Sequence, residues 1–346
     1  MGFLRLFLAV SVMVGHVFHE LKGESWVGFE SLPFLVRGGH AVFTFFIVSG
    51  FYITYIWNEQ YSKLDHGIRR FYLNRVLRLY PIHLLILLLY VTLYAHSGSP
   101  NIYLGGFSDN SVAWYYALLT NITIIGVDVF ALLGGDYWSY VIGPTWSLSL
   151  EIYFYLLAPF FVARGLRFML FLFLGTALIR ILVLSSSLET FPWHYVFFPS
   201  IFMFFVMGGL SYHLYRWVSS SALPLYTRIA FPIALVLYAV TVQVWQHEAI
   251  DSFASWGFYL LVAINIPFLF SLTKDNRVDA FVGQLSYPVY LSHLLVTVAA
   301  GWIPTLGIPD VGVRIVVVTL LFSMLLHLLL EKPIESLRRH IKKARR

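Results

Sequence analysis

Apolar runs of about twenty residues, the length a helix needs to span a bilayer core of roughly 30 Å, recur along this chain from end to end. They fall at 3–20, 38–57, 76–95, 113–133, 146–163, 167–184, 196–216, 229–246, 254–272, 285–302 and 312–330. A soluble core has no use for so many. A transmembrane barrel would show short alternating segments instead, and none is sustained here. Inside lipid every backbone N–H and C=O must find a partner within the chain, which leaves helices as the only solution for runs of this kind. Composition agrees: 59% of the residues are hydrophobic and 12% are charged, against about 25% charged in a soluble domain. The expected fold class is an all-α polytopic membrane protein.

Basic residues decide which runs cross. They concentrate on the cytoplasmic side of membrane proteins. With the N-terminus cytoplasmic, the loop 58–75 falls inside with Lys63, Arg69, Arg70 and Arg75. Segment 113–133 contains Asn121 and Asp128 and is bracketed by the turn-rich stretches SGSPNIYLGGFSDN and GGDYWSYVIGP. If it does not cross, Arg164, Arg167, Arg216, Arg228, Lys274, Arg277 and the basic tail also fall inside. Only Lys22, Arg37, Arg180 and Arg314 of the 23 basic residues then lie away from the cytoplasmic loops and the cytoplasmic ends of the spans. If it crosses, every later loop inverts. The sequence therefore predicts ten transmembrane helices, one re-entrant or external hydrophobic segment at 113–133, and both termini in the cytoplasm. Residues 1–333 read as a single membrane domain and 334–346 as a basic cytoplasmic tail, with the pattern of an amphipathic helix on anionic lipid. The first run lacks a small-residue cleavage site and carries a histidine, so it reads as a retained span.

Several function classes are excluded. There is no Cys, hence no disulfide and no thiolate chemistry. The net charge of +6 comes from residues flanking apolar spans, not from a basic folded domain, so no nucleic-acid partner is expected. The phosphate-loop, GxSxG and HExxH patterns are absent, and no metal is expected.

What remains is a set of polar side chains within apolar helices, where they are costly and usually functional. Arg5 and His16 lie eleven residues apart in the first run, about 16 Å along a helix and on roughly one face. That puts Arg5 at the cytoplasmic surface and His16 near mid-membrane. Histidine is the commonest general base. In RRFYLNRVLRLYP, Arg75 and Arg78 share a helical face and form a fork suited to phosphate oxygens. A topological anchor explains basic residues there too, but Arg78 reaches into the apolar run. Gly38, Gly39 and Gly50 allow close helix approach, and Ser49-Gly50 lets a helix loosen near a substrate path. Glu151, inside TWSLSLEIYFYLLAP, is a candidate to orient His16 or to pair with a buried arginine. His293 lies in LSYPVYLSHLLV beyond Tyr287 and Pro288. Ser49, Tyr287 and His293 are candidates for substrate binding. A transporter or flippase of lipid-linked saccharides or small anions would also line a path with such groups. The lack of a clear internal repeat weighs against an inverted-repeat transporter.

Taken in order, these pieces resemble the integral-membrane acyltransferase-3 family, whose members O-acylate bacterial surface and exported polysaccharides. The resemblance rests on Arg5 and His16 as R-x10-H, FFIVSGF at 45–51, RVLRLYP at 75–81, WSLSLEIYFYLLAP at 146–159, YPVYLSH at 287–293 and EKP at 331–333. It implies that His16 is the catalytic histidine, Arg5 its companion, and Glu151 the acidic member of the WSLSxE block. Arg75 and Arg78 become the arginine pair that holds the acyl-CoA donor. The implied reaction moves an acyl group, acetyl by family frequency, from acyl-CoA to a saccharide hydroxyl at the bacterial cytoplasmic (inner) membrane. Acyl-CoA enters as a substrate, and no tightly bound cofactor is implied. Many relatives carry a C-terminal SGNH-type domain that this sequence does not show. The expectation is therefore direct transfer or hand-over to a separate periplasmic transferase.

Overall fold

The computed structural model describes residues 1–21, 25–27, 32, 34–97, 111–132, 142–221, 223–242 and 249–342. Lys22, residues 98–110 and 133–141 around the 113–133 segment, and tail residues 343–346 lie outside the described residues. Among those described there are helices and turns but no strand. The helices are α1 (Gly2–Glu20), α2 (Gly38–Glu59), α3 (Gly67–Ser97), α4 (Ser111–Thr123), α5 (Val127–Leu132), α6 (Thr145–Phe161) and α7 (Leu166–Leu184). They continue as α8 (Trp193–Val196), α9 (Phe198–Ser220), α10 (Leu225–Val242), α11 (Phe253–Thr273), α12 (Arg277–Val298), α13 (Val311–Leu326) and α14 (Lys332–Lys342).

Among the described residues, seven helices are long and apolar enough to cross a membrane, in α1, α2, α3, α7, α9, α11 and the rod that runs from α13 into α14. The other runs fall short for visible reasons. Helix α6 has 17 residues, and α10 is an apolar helix of similar length. Helix α12 is long enough, but Arg277, Asp279, Gln284, Ser286 and His293 dilute its hydropathy. The 113–133 segment does not form one rod. It breaks at Ile124 and Gly126, both with left-handed backbone (φ 68° and 88°), into α4 and α5. The longer piece, 13 residues, spans about 20 Å, short of a core of roughly 30 Å. Its polar residues are absorbed by protein: the Asp128 carboxylate accepts from Ser149 Oγ (2.6 Å) and the Tyr153 hydroxyl (2.9 Å). The Asn121 carbonyl meets His83 Nε2 at 2.7 Å.

Helix α2 lies at the centre, with one face on α9 and others on α1, α6 and α11. The α2–α9 contact is backbone to backbone. A Cβ on Gly50 would overlap the Phe205 carbonyl, and one on Gly208 would overlap that of Ile47. Gly50 thus has the packing role its sequence context predicts. The predicted loosening at Ser49-Gly50 does not occur, since α2 runs unbroken through it. Gly38 is no contact point either: a side chain there would meet open space.

Arg180, one of the four basic residues that the topology leaves unexplained, is wholly buried in α7. It pairs with Asp251 at 2.5 Å, donates to the His194 carbonyl and Ser200 Oγ at 3.1 Å each, and faces the rings of Phe43, Phe204 and Trp256. A buried guanidinium survives when its charge is paired and its donors are used.

Candidate functional site

The site is organised by α1 and α12, which run side by side in the same direction. At their start, the backbone N–H groups of Gly2 and Phe3 donate to the Asp279 carboxylate of α12 (2.7 and 3.0 Å). These are orphan donors of a helix N-terminus, capped here by a residue remote in sequence. Further along, His16 of α1 meets His293 of α12 edge-to-face, with ring centroids 5.2 Å apart. The two helices therefore present Arg5 and Tyr287 at one level and His16 and His293 at another.

The first level opens into a cavity of about 320 Å³. Its lining includes Arg5, Ser49, Arg75, Arg78, Glu151 and Tyr287, six of the eight residues singled out in the sequence. They come from α1, α2, α3, α6 and α12. Arg78 pairs with Glu331 (3.3 Å) and lies over the Tyr287 ring (5.8 Å). Glu331 is shared with His327 Nδ1 (3.0 Å) across a π-helical turn, His327–Glu331, that ends just before Pro333. A proline without an N–H forces such a shift of the helical ladder. Arg75 donates to Asn74 Oδ1 (2.9 Å) and lies over the rings of Phe71 and Tyr155. Tyr287 donates to the Leu79 carbonyl (2.7 Å), which ties α12 to the arginine helix. Arg5 lies over the Tyr52 ring (5.8 Å) and has no carboxylate partner among the described residues.

Glu151 sits in this chamber and not beside His16. Its Oε1 accepts from Ser49 Oγ (2.6 Å) and the Tyr155 hydroxyl (2.5 Å), and it forms no ion pair among the described residues. It therefore neither orients His16 nor is paired with an arginine. It is an acidic residue on a lining that also carries four arginines.

His16 lines a second, smaller cavity of about 120 Å³ together with Val12, Gly38, Gly39, Val42, Pro144, Trp146, Tyr195 and Tyr290. Two residues, Val42 and Tyr290, line both cavities and form their common wall. The Tyr290 hydroxyl shares a hydrogen bond of 2.7 Å with Ser147 Oγ. His293 stands behind His16 and lines neither cavity. It is fully buried, with Nδ1 against the Val289 carbonyl (3.2 Å) and Nε2 without a partner. The sequence placed it among the candidates for substrate binding; in the structure its ring meets that of His16 and not a cavity.

Sequence reasoning missed Tyr52, Ser147, Tyr155, Tyr290, Glu335 and Arg338, all on the lining of the larger cavity. Tyr290 belongs to the YPVYLSH block and Tyr155 follows Glu151 by one helical turn, so both had a local signal. Arg338 looked like one more basic residue of a tail. The tail helix α14 in fact packs against α3 and brings Arg338 into the chamber. Among the described residues no cluster of His, Asp and Glu has the makings of a metal site.

This arrangement can hold an anion in one compartment and do proton or acyl chemistry in the next. No curated protein and no solved structure shows significant similarity to the chain. The model of the acyltransferase-3 family, described as an acyltransferase domain, matches residues 1–328, so the chain belongs to that family and is an acyltransferase with several membrane-spanning helices.

Proposed function

We propose that the protein transfers an acyl group, acetyl in the simplest case, from acyl-CoA to a hydroxyl of a cell-surface or exported polysaccharide or of its lipid-linked precursor. The observation that carries this reading is the pairing of an arginine-lined chamber with a histidine cavity across the shared wall of Val42 and Tyr290. Acyl-CoA is a phosphate-rich anion joined by a flexible neutral arm to a thioester. Arg75 and Arg78, with Arg5 nearby, suit the phosphates, since guanidinium forks bind them in bidentate fashion. His16 suits the reacting end. It makes no hydrogen bond with the described residues, so both ring nitrogens are available to reactants.

In the direct route, the acceptor hydroxyl oxygen attacks the thioester carbonyl while His16 takes its proton. The carbon–sulfur bond breaks, and the proton passes to the departing thiolate as CoA leaves. In the relay route, a His16 nitrogen attacks the thioester carbonyl, the carbon–sulfur bond breaks and the other ring nitrogen gives its proton to the departing CoA thiolate; the acceptor hydroxyl then displaces the acyl group from the ring and returns a proton to that nitrogen. Ser49, Glu151 and Tyr287 belong to the donor side in either case, and His293 supports the His16 ring. The topology that fits is ten crossings with both termini in the cytoplasm of a bacterium, where acyl-CoA is made. The acceptor then reaches His16 from the opposite face of the inner membrane. Transfer to it is direct or passes through a separate periplasmic transferase.

The test uses purified full-length protein in lipid nanodiscs with labelled acetyl-CoA and a polysaccharide precursor. Release of free CoA together with labelled glycan is the expected result. Movement of the saccharide across vesicles without consumption of acetyl-CoA would falsify the reading and favour a translocator.

A further inference from the structure

The donor chamber is completed from the far end of the chain. Asn74 is fully buried on α3, next to Arg75. Its Oδ1 accepts from Arg75 Nη2 at 2.9 Å and from Arg338 Nε and Nη2 at 3.3 and 3.1 Å. One neutral amide oxygen thus gathers two guanidinium groups from opposite ends of the sequence. Like charges held this close repel, and a neutral hub does not cancel them. Helix α14 is tied to α3 through its backbone as well, since Asn74 Nδ2 donates to the Arg338 carbonyl (3.5 Å) and Arg70 to the Ile341 carbonyl (3.3 Å), and neither bond uses the Arg338 guanidinium. The cavity lining carries four arginines, Arg5, Arg75, Arg78 and Arg338, against two carboxylates, Glu151 and Glu335. Glu335 is bound to Arg338 at 2.6 Å from within that lining, which makes it a rival for whatever anion Arg338 would otherwise hold.

We propose that Arg338, set beside Arg75 by Asn74, is a donor-binding residue that takes a phosphate of acyl-CoA, and that Glu335 competes with that phosphate. This rests on the reading of the chamber as an acyl-CoA site. The clamp joins α3 to α14, so the C-terminal helix is part of the donor site and not only a membrane-surface tail. A lipid phosphate offers the same chemistry as a CoA phosphate, and the experiment separates the two.

Full-length protein in zwitterionic nanodiscs is titrated with CoA, and with pantetheine as a phosphate-free probe. Loss of a bidentate charged contact weakens CoA binding about tenfold or more in Arg338→Gln. Glu335→Gln strengthens it several-fold. Arg339→Gln, an exposed neighbour on the same helix, leaves it within about twofold, as expected of an exposed charge. Pantetheine binding is unchanged in all three. Unaltered CoA affinity in Arg338→Gln, or equal losses in Arg338→Gln and Arg339→Gln, overturns the proposal. So does a loss that appears only when anionic lipid is added, which assigns Arg338 to the membrane. If Arg338→Gln does not fold, Glu335→Gln decides alone, and unchanged affinity there counts against the idea. Failure of the unsubstituted protein to bind CoA brings down the acyl-CoA reading itself, a result distinct from all of these.

Discussion

The two cavities share a wall and differ in almost everything else. The larger one is ringed by arginines, carboxylates and tyrosines. The smaller one has His16 among aromatic, aliphatic and glycine residues, with no Asp, Glu, Lys or Arg in its described lining. That lining offers no charged side chain to compensate an anion, and an uncompensated buried charge costs several kcal/mol. In the proposed reaction the phosphates therefore stay in the first cavity, and the neutral arm has to reach past Val42 and Tyr290.

The largest effect is expected at His16, the reacting group of the proposed function. His16→Ala should lower acyl transfer by about 10²–10⁴-fold, the usual worth of a positioned acid–base, with CoA affinity close to unchanged. If turnover and CoA binding fell together, the division between the cavities would be wrong. Next comes the anion side. Arg78→Gln should raise KM for acyl-CoA by about 10–100-fold with a smaller change in kcat, and Arg78→Lys should lose less. Since the first change also strands Glu331 and His327, a thermal melt of each variant separates lost binding from lost fold. An effect confined to kcat would place Arg78 in the chemistry and blur the comparison.

The wall itself gives the third test. Val42→Phe overfills a tight contact, which costs about 1–3 kcal/mol in a packed core, and should slow transfer while CoA still binds. Gly38→Leu approaches from the other side. Its new side chain meets no atom within 4 Å for the first carbon, so it fills the His16 cavity without straining α2. Acyl transfer should drop and CoA affinity should hold. Equal loss of CoA affinity in either variant would mean that the two spaces act as one.

How far the sequence foresees this follows the same division. Hydropathy alone outlines the rods: 38–57 against Gly38–Glu59, 167–184 against Leu166–Leu184, 254–272 against Phe253–Thr273. It is late where a helix begins polar. Helix α3 starts at Gly67, nine residues before its apolar run, because Arg69, Arg70, Asn74 and Arg75 hide the start. Helix α12 starts at Arg277 and not at 285, since Asp279 and Gln284 face α1 and the chamber. Which polar residues matter was readable from their presence in apolar runs, and six of the eight do meet in one cavity. Their partners were not. Pairings such as Arg78 with Glu331, Asn74 with Arg338 and Ser49 with Glu151 join residues 102 to 264 positions apart, and no local pattern encodes them. His293 shows the limit from the other side: a buried polar residue marks a functional neighbourhood without telling whether it touches substrate or supports what does.

The smallest effect tests how the two ends of α1 are fixed. The Arg5 end is held by Asp279, inside the protein. Beyond the His16 end, the chain is tied by Asp310, whose carboxylate accepts from Ser25 Oγ, the Trp26 N–H (both 2.7 Å) and the Val313 N–H (2.8 Å) while it caps α13. Burial alone would raise the pKa of Asp310, but these hydrogen bonds outweigh it and hold the carboxylate below its ordinary range. A lowered folded-state pKa means that the stabilisation is present above the unfolded-state pKa and is lost as pH falls through the folded one. Asp310→Ala should cost about 0.5–2 kcal/mol at neutral pH, the worth of an N-cap. The gap in melting temperature between variant and parent should close on acidification below the ordinary carboxylate range. A gap that persists there would assign the effect to packing and not to the charged cap. CoA binding should not respond at all, because Asp310 lies at the end of the molecule that holds no donor phosphate.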